Sequence, residues 1–269
     1  MATRQCSRFK QRCSQSVAGS VRRAHNEQVA SQCMKGLVPL AWRKSAKVKR
    51  AKMFESFGSH RFSHPALSGI DRVVETLLPR QGVFLEVGAN DGYTQSNTYF
   101  LEVARDWSGI LVEPLPSLYR RCARLRRRSV CFNVACVAPA QAGSSIPLVD
   151  LDLMSVTLGQ QPKEDEDKRL RARDVRIVTV PTTTLSAVID QAGFAHIDFM
   201  SIDVEGAEIP LLSGLDFSRH TPSWAVIETA RLDEVERACS PWLVLVRRLS
   251  HHDYLFRSAD THSANEWVT

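Results

Sequence analysis

The segment FLEVGANDG, residues 84–92, is the most informative part of the sequence for predicting the fold. Together with Val83 its first residues form a short apolar run, and glycines follow at positions 88 and 92. Such a run is typical of a buried parallel strand, and glycine lets the backbone turn sharply and approach a ligand closely. In an open α/β sheet the turn after the first strand lies at the carboxyl edge, where ligands bind. The stretch therefore predicts a binding turn at the edge of such a sheet.

Strands and helices alternate along the rest of the chain. Apolar runs predict strands at residues 83–87, 109–113, 130–134, 177–180, 199–204, 224–228 and 254–256, with a further one at 267–268. Helical spacing of apolar residues predicts helices at 70–78, 95–105, 118–125, 182–191 and 207–213, and within 233–249, where Pro241 interrupts the pattern. This alternation predicts an α/β fold with a doubly wound, mostly parallel sheet. The densely charged segment 160–174 is either a solvated loop or exposed helix, or a mobile lid over a site.

The net charge divides the 269 residues into two unlike parts. Residues 1–50 contain 12 Lys/Arg and one acid, a net charge of +11, whereas residues 51–269 contain 23 Lys/Arg and 28 Asp/Glu, a net charge of −5. Low hydrophobicity and high charge predict that the basic part is a disordered or weakly helical extension. A transit peptide, or an electrostatic arm for nucleic acid or anionic lipid, is the alternative. We predict an extension at 1–60 and one folded domain at 61–269.

Composition and spacing exclude several classes of site. No run reaches the roughly 18 apolar residues that a membrane span needs. The seven cysteines form no CxxC pair and are odd in number, so they support neither a zinc ribbon nor a closed disulfide framework. We expect reduced thiols in the cytoplasm. The eight histidines show no HExxH or other metal-ligand spacing.

An acid follows the glycine turn at the spacing expected for a nucleoside ligand. Glu113 ends the next predicted strand, 25 residues after Gly88, where a carboxylate can accept both hydroxyls of a ribose. The turn lacks the GxGxxG pattern of dinucleotide sites, and Asp91 within it would repel a pyrophosphate but suit a cationic or zwitterionic ligand. The combination predicts a site for S-adenosylmethionine (SAM), with the turn at the methionine part and Glu113 at the ribose.

A second group of acids lies in DFMSIDVEGAE, residues 198–208. Asp203 and Glu205 end a predicted strand, and because alternate residues of a strand share a face, both carboxylates point towards one edge. Carboxylates this close raise each other's proton affinity or bind a cation. Solvated strand-end acids are the plainer interpretation. Glu208 is expected in the first turn of the next helix, where a negative charge is favourable.

These motifs belong to a longer series that resembles a known family. In chain order the series is FLEVGANDGYTQSNTYFLE (84–102), WSGILVEP (107–114), FNVAC (132–136), VPTTTL (180–185) and DFMSIDVEGAEIPLLSGLDF (198–217). The chain resembles the FkbM-type methyltransferases over about residues 82–257, and IDVEGAE is the most characteristic motif. The resemblance implies a class I, Rossmann-like SAM-dependent methyltransferase, which usually transfers a methyl group to a hydroxyl oxygen of a sugar, polyketide or other natural product.

The resemblance also assigns roles to single residues. Those that it places at the methionine end of SAM are Glu86, Gly88, Asn90 and Gly92. It places Glu113 at the ribose and Asn133 near the adenine. Asp203 and Glu205 are placed below the transferred methyl group, facing the acceptor. Residues 96–98 either face the cofactor or cap a helix.

We therefore expect a SAM-dependent O-methyltransferase whose acceptor is a hydroxyl of a sugar, glycan or natural-product metabolite. Asp203 or Glu205 is expected to remove the acceptor proton, directly or through a bound divalent metal, with His196 as an alternative base. The rival expectations are a non-catalytic SAM-binding module and a nucleic-acid methyltransferase that uses the basic tail. The acidic body, and the lack of an Asn/Asp-Pro-Pro-aromatic motif, disfavour the nucleic-acid methyltransferase.

Overall fold

The computed structural model describes residues 40–150, 155–157 and 176–260. The chain divides into two compact units, Met1–Met53 and Phe54–Thr269. The first described element is helix α1 (Leu40–Ser56), whose sequence is strongly basic. The predicted elements at 160–174 and 267–268 lie outside the described residues. No helix in the described part of the chain has the length and apolar character of a membrane span.

The described residues of the second unit form two sheets. The strands are β1 (Val83–Val87), β2 (Ser108–Val112), β3 (Val130–Phe132), β4 (Ala135–Cys136), β5 (Ser145–Asp150), β6 (Ser155–Thr157), β7 (Arg176–Thr183), β8 (Phe199–Ile202), β9 (Trp224–Glu228), β10 (Leu243–Arg248) and β11 (Asp253–Ser258). The larger sheet has the order β3-β2-β1-β8-β9-β11-β10. All of its strands run in one direction except β11, which is antiparallel to β9 and β10. The predicted doubly wound, mostly parallel sheet is confirmed.

Helices cover both faces of the larger sheet. They are α2 (Ile70–Glu75), α3 (Tyr99–Ala104), α4 (Pro116–Leu125), α5 (Leu185–Ala192), α6 (Glu208–Ser213), α7 (Phe217–His220) and α8 (Leu232–Cys239). Side chains alternate between faces along each strand, so Leu85 and Val87 join one hydrophobic core while Phe84 joins the other. The near-continuous apolar strands of the sequence are therefore explained by burial on both sides.

The smaller sheet is a feature that the sequence did not predict. Its order is β4-β7-β5-β6, and β5 pairs antiparallel with both β6 and β7. β5 contains Pro147 and β4 is two residues long, so neither shows a strand pattern by itself. Only part of β7 was predicted, and residues 182–183, expected to start a helix, belong to this strand. The helix begins later, where the Thr184 hydroxyl accepts a hydrogen bond from the Ala187 amide.

The predicted helical content of 233–249 is wrong in its second half. Helix α8 ends at Cys239, and the residues after Pro241 form strand β10. Its first four residues are an unbroken apolar run, Leu-Val-Leu-Val. Such a run suits either structure when read alone, and here β11 supplies the hydrogen-bonding partner that decides the outcome.

Candidate active site

The site lies where the direction of strand order reverses. From β1 the chain moves outwards through β2 to β3 and then returns to β8 on the other side of β1, which opens a crevice at the carboxyl ends of these two strands. The Asp203 amide, just after β8, donates to the Val87 carbonyl at 3.0 Å. Gly88 has a positive φ of 87°, and a Cβ placed on it would lie 1.8 Å from the Asp203 carbonyl oxygen. Glycine is therefore required here for both conformation and space.

Two cavities meet at this point of close approach. The first encloses about 300 Å³ and is lined mainly by polar residues, namely Glu86, Val87, Gly88, Asn90, Thr94, Gln95, Ser96, Asn97, Ser201 and Asp203. The second encloses about 670 Å³ and is lined mainly by apolar residues, among them Val112, Pro114, Val134, Val137, Ile146, Leu148, Ala207 and Leu211. Val87, Gly88 and Asp203 line both. We call them the polar lobe and the apolar lobe of one site.

Glu113 links the turn after β1 to the turn after β2. Its buried carboxylate accepts a hydrogen bond from the Asn90 amide at 2.8 Å and from the Leu115 amide at 2.8 Å, one on each oxygen. Asn90 has a positive φ of 51°, which turns its amide towards this acid. The position predicted for a ribose acceptor is thus occupied by an acid that also shapes the glycine turn.

Asn133 follows β3 and forms hydrogen bonds with the turn after β2. Its side-chain amide donates to the carbonyls of Glu113 and Pro114, at 2.9 and 2.8 Å. The next residue, Val134, lines the apolar lobe. Asn133 therefore lies beside the lobe predicted for adenine, and its visible role is to hold the turn after β2.

The Asp91 carboxylate accepts hydrogen bonds from residues of the glycine turn itself. Its carboxylate accepts hydrogen bonds from the amides of Tyr93 and Thr94 and from the Thr94 hydroxyl, at 2.7–3.1 Å. The side chain is buried. This local cap, rather than ligand charge, accounts for an acid at this position.

Glu86 lies beneath the polar lobe and binds the loop that forms it. One carboxylate oxygen accepts from the hydroxyls of Ser96 and Thr98, at 2.9 and 2.6 Å, and the other accepts from the Asn97 amide at 2.9 Å. The Ser96 oxygen also accepts from the Tyr99 amide at 3.0 Å, at the first residue of α3. The N-cap residue of α3 is Thr98, which makes no side-chain cap hydrogen bond, and Ser96 and Asn97 line the polar lobe.

A fully buried arginine completes this loop. Arg126 pairs with Glu102 at 2.9 Å and with Glu86 at 3.5 Å. It also donates to the Gly92 carbonyl at 3.1 Å and to the hydroxyl groups of Ser96 and Thr98 at 3.2 and 2.8 Å. Burial disfavours the charged guanidinium, but Glu102 and Glu86 outweigh it and raise the pKa of Arg126.

The sequence analysis missed Arg126, although a signal was present. The buried residues Leu118 and Cys122 lie on α4 at a spacing of four, and position 126 continues the same stripe. The arginine is hidden in a run that contains five other arginines between 120 and 128. Periodicity singles it out where composition does not.

A group of carboxylates lies at the carboxyl end of β8 and β9. In the sheet Ile202 is the partner of Ile227, so Asp203 and Glu228 follow on neighbouring strands. Asp253, at the start of the antiparallel strand β11, is the register partner of Glu228. Sequence reasoning missed both added acids, although Glu228 ends a predicted strand in the same way as Asp203.

The carboxylates of this group raise one another's pKa values. Burial raises the pKa of Asp203 well above its usual range, and the negative charges of Glu228 and Glu205 raise it further. Burial also raises the pKa of Glu228, with Asp253 and Glu205 adding to the effect. Within the described residues no group of His, Cys, Asp or Glu is arranged to hold a metal ion.

Glu205 and Glu208 take different positions after β8. Glu205 is exposed and has a positive φ of 51°. Glu208 is buried at the first residue of α6 and accepts from the Gly206 amide at 2.6 Å. The predicted helix-start role of Glu208 is confirmed. Arg231 donates to the Gly206 carbonyl at 2.7 Å and so fixes the same turn from the other side.

His196 cannot serve as the alternative base. It precedes β8, at the amino edge of the sheet, whereas the site lies at the carboxyl edge. Its imidazole is largely exposed and lies 3.5 Å from Asp198. The hydrogen bond to Asp198 raises the pKa of His196. The plainer interpretation of this residue, a loop histidine before the strand, is correct.

This strand order, with its single antiparallel strand and a glycine turn at the reversal, defines the class I, Rossmann-like fold of SAM-dependent methyltransferases. The family model of the methyltransferase FkbM domain matches residues 86–257, and the chain belongs to this family.

Similarities to solved structures are of low sequence identity. The FkbM methyltransferase from Methylobacillus flagellatus KT is 15% identical, with a TM-score of 0.42, over 66% of this chain and 44% of that chain. This chain thus spans less than half of that protein. A TehB-like SAM-dependent methyltransferase from Corynebacterium glutamicum is 12% identical, with a TM-score of 0.40, over 81% and 99%. An O-methyltransferase from Bacillus cereus is 10% identical, with a TM-score of 0.38, over 79% and 90%. No curated protein matches the sequence.

Replacing Arg126 by methionine should lower the free energy of unfolding by about 3–5 kcal/mol, because two buried carboxylates lose their cation. Arg127→Met is the matched control, since this neighbour is exposed and surface substitutions usually change stability by less than about 0.5 kcal/mol. Urea unfolding followed by circular dichroism measures both. Equal stability of the two variants would contradict the role assigned to the buried network.

Proposed function

We propose that this chain is a SAM-dependent O-methyltransferase that acts on a hydroxyl of a sugar, glycan or natural-product metabolite. The observation that carries the proposal is the two-lobed site. The polar lobe suits the zwitterionic amino-acid end of SAM, the apolar lobe suits its adenine, and the lobes meet at Gly88 and Asp203, where the sulfonium between these ends belongs. A dinucleotide, which carries a nucleobase at each end and a charged pyrophosphate between them, does not match this division.

The residues present fit SAM. Gly88 has no side chain where the turn after β1 approaches the Asp203 carbonyl. The turn of Asn90 and Gly92 is held in shape by hydrogen bonds to Glu113 and Arg126. Glu113 follows β2 at the strand end where an acid accepts the hydroxyls of a ribose, and Asn133 precedes Val134, which lines the apolar lobe. Glu86 acts on the methionine end through the loop it binds. When bound, SAM supplies an electrophilic methyl group.

Asp203 is the residue we assign to proton removal. It lies at the junction of the lobes, and a hydroxyl acceptor must lose its proton as its oxygen forms the new bond. A carboxylate whose pKa is raised is a stronger base than an ordinary one, and a base is most effective when its pKa is close to the working pH. Glu228 supports this role because its charge is one cause of the raised pKa of Asp203.

Glu205 takes a secondary role in the proposal. It is exposed and its charge is one cause of the raised pKa of Asp203, and we assign it to contacts with the other hydroxyls of a polyhydroxylated acceptor. Such contacts orient the reacting oxygen, and orientation supplies much of the rate of a displacement. Proton removal by Asp203 itself is the form of the mechanism we propose, with no metal ion between the carboxylate and the acceptor.

The Asp203→Asn variant should lose about 10²-fold or more in kcat, because the amide cannot accept the proton, while the dissociation constant of SAM should change little. Transfer of a radiolabelled methyl group to a panel of sugars and hydroxylated metabolites measures turnover. Asp233→Asn, an exposed acid on α8, is the control and should keep full activity.

The same assay separates the rival functions. Full activity of Asp203→Asn would refute its assignment as the base. SAM binding without transfer to any acceptor of the panel would favour the non-catalytic module. Transfer to RNA or DNA that is lost on deleting residues 1–50 would favour the nucleic-acid methyltransferase.

The pH dependence of the rate should report the Asp203–Glu228 pair. At low pH Asp203 is protonated and cannot accept a proton, so kcat should rise as the pH rises through its elevated pKa. The Glu228→Gln variant removes one negative charge that raises this pKa, so its rising limb should move to lower pH. Glu236→Gln, an exposed acid on α8, is the control. A limb that stays in place in Glu228→Gln would show that another group controls the rate.

A further inference from the structure

An arginine-rich surface lies on the folded unit, outside the site described above. Residues 116–129 contain six arginines and no acid. Arg126 is the buried member of the network. The other five are exposed and form what we call the arginine surface: Arg120, Arg121, Arg124, Arg127 and Arg128.

Helix geometry gathers three of these side chains on one face. At about 100° per residue, positions 120, 121 and 124 of α4 fall within about 100° of the helix circumference. The opposite face buries Leu118 and Cys122 in the core. Arg127 and Arg128 follow directly after the helix and extend the surface beyond its end.

Few acids neutralise the arginine surface. Arg128 pairs with Asp106 at 2.8 Å, and the Arg127 side chain donates to the Arg124 carbonyl. Among the described residues, Arg120, Arg121 and Arg124 form no ion pair and no side-chain hydrogen bond. Like charges on one helix face repel each other, so this arrangement is unfavourable for the chain alone and favourable with an anion present.

The chemistry of the surface favours phosphate groups in a row. Guanidinium groups bind phosphate with two parallel hydrogen bonds, and arginine is used where that geometry matters. Arg120 and Arg124 are about 6 Å apart along the helix axis, and Arg127 and Arg128 lie in the turn that follows the helix. A linear polyanion can therefore contact several guanidinium groups at once.

A membrane surface fits the arginine surface less well. A helix that binds a bilayer interface inserts an apolar face between the lipids, whereas the apolar face of α4 is packed against the sheet. Among the residues that the structure describes, Val130, 43% exposed, is the one exposed large hydrophobic residue close to the arginines in sequence. The surface is thus purely electrostatic, as in binding to a phosphodiester backbone.

We propose that the arginine surface binds the phosphodiester backbone of single-stranded nucleic acid. The binding is independent of base sequence, because guanidinium groups that contact phosphates carry no base recognition. It is a property of the folded unit, separate from any contribution of the basic residues 1–50. It does not depend on the proposed methyl transfer.

The test measures binding of a fluorescein-labelled 20-nucleotide RNA, and of DNA of the same sequence, to the full chain by fluorescence anisotropy at several salt concentrations. The triple variant R120Q/R121Q/R124Q should bind at least about tenfold more weakly. The slope of log K against log salt should fall in magnitude by about 2, because three phosphate contacts at about 0.7 each are lost. SAM titration and the thermal midpoint should be unchanged in this variant.

A second triple variant controls for net charge. R80Q/R237Q/R247Q removes three exposed arginines, also without ion pairs among the described residues, from other places on the unit. It should bind RNA nearly as well as the wild type. Equal weakening in both variants would overturn the proposal, as would absence of RNA and DNA binding by the wild type. Loss of binding to phosphatidylserine vesicles in R120Q/R121Q/R124Q, with RNA binding intact, would assign the surface to membranes instead.

Discussion

One buried positive charge holds the polar lobe of the site in shape. The loop after the glycine turn has little regular secondary structure, and its side chains form hydrogen bonds with the buried residues Glu86 and Arg126. Arg126 is fully buried between two acids and also contacts the faces of Phe84 and Tyr99. A charge in such a place is tolerated only when it is paired and hydrogen-bonded. The members of the network therefore depend on one another, and together they keep the polar lobe in shape.

A second constraint divides the site into two lobes. Gly88 and the Asp203 carbonyl approach more closely than any side chain at position 88 would allow, so the turn after β1 and the end of β8 form one ridge. Polar groups from the loop lie on one side and apolar groups from the smaller sheet and α6 on the other. The acid that we assign to catalysis lies on this ridge, and its neighbours Glu228 and Asp253 come from the next strands. Position, burial and charge thus converge on Asp203.

Much of this could be predicted from the sequence, and the exceptions have physical causes. β1 and β9 have the predicted bounds because each is a five-residue strand with four apolar residues and one glutamate, and its apolar side chains pack on both faces of the sheet. The smaller sheet was missed because β4 and β5 become strands through their partner β7. In the site, Glu113 and Asp203 lie at the strand ends where they were expected. Asp253 was not found, because a local pattern cannot show which distant elements bring a charge to the same place. Arg126 continues the buried stripe of α4, but five other arginines between 120 and 128 hide it.

Glu86 shows a further limit to predicting the role of a residue from the sequence. A conspicuous acid before a glycine turn was expected beside the cofactor, and its direct contact with SAM stays a prediction. In the structure both of its oxygens are occupied by loop donors. A motif residue can therefore serve a ligand by building the wall of the site. That distinction depends on the hydrogen-bond partners, which lie 10–12 residues away in sequence.

Binding of SAM across the ridge, with its ribose at Glu113, can be measured by calorimetric titration of SAM into the full chain. We expect one SAM per chain. Affinity should be about tenfold or more weaker in Glu113→Ala, since hydrogen bonds to a charged group contribute about 1.5–3 kcal/mol. Glu234→Ala, on the outside of α8, should bind SAM as the wild type does. Absence of SAM binding, or equal affinity in Glu113→Ala and the wild type, would contradict the account.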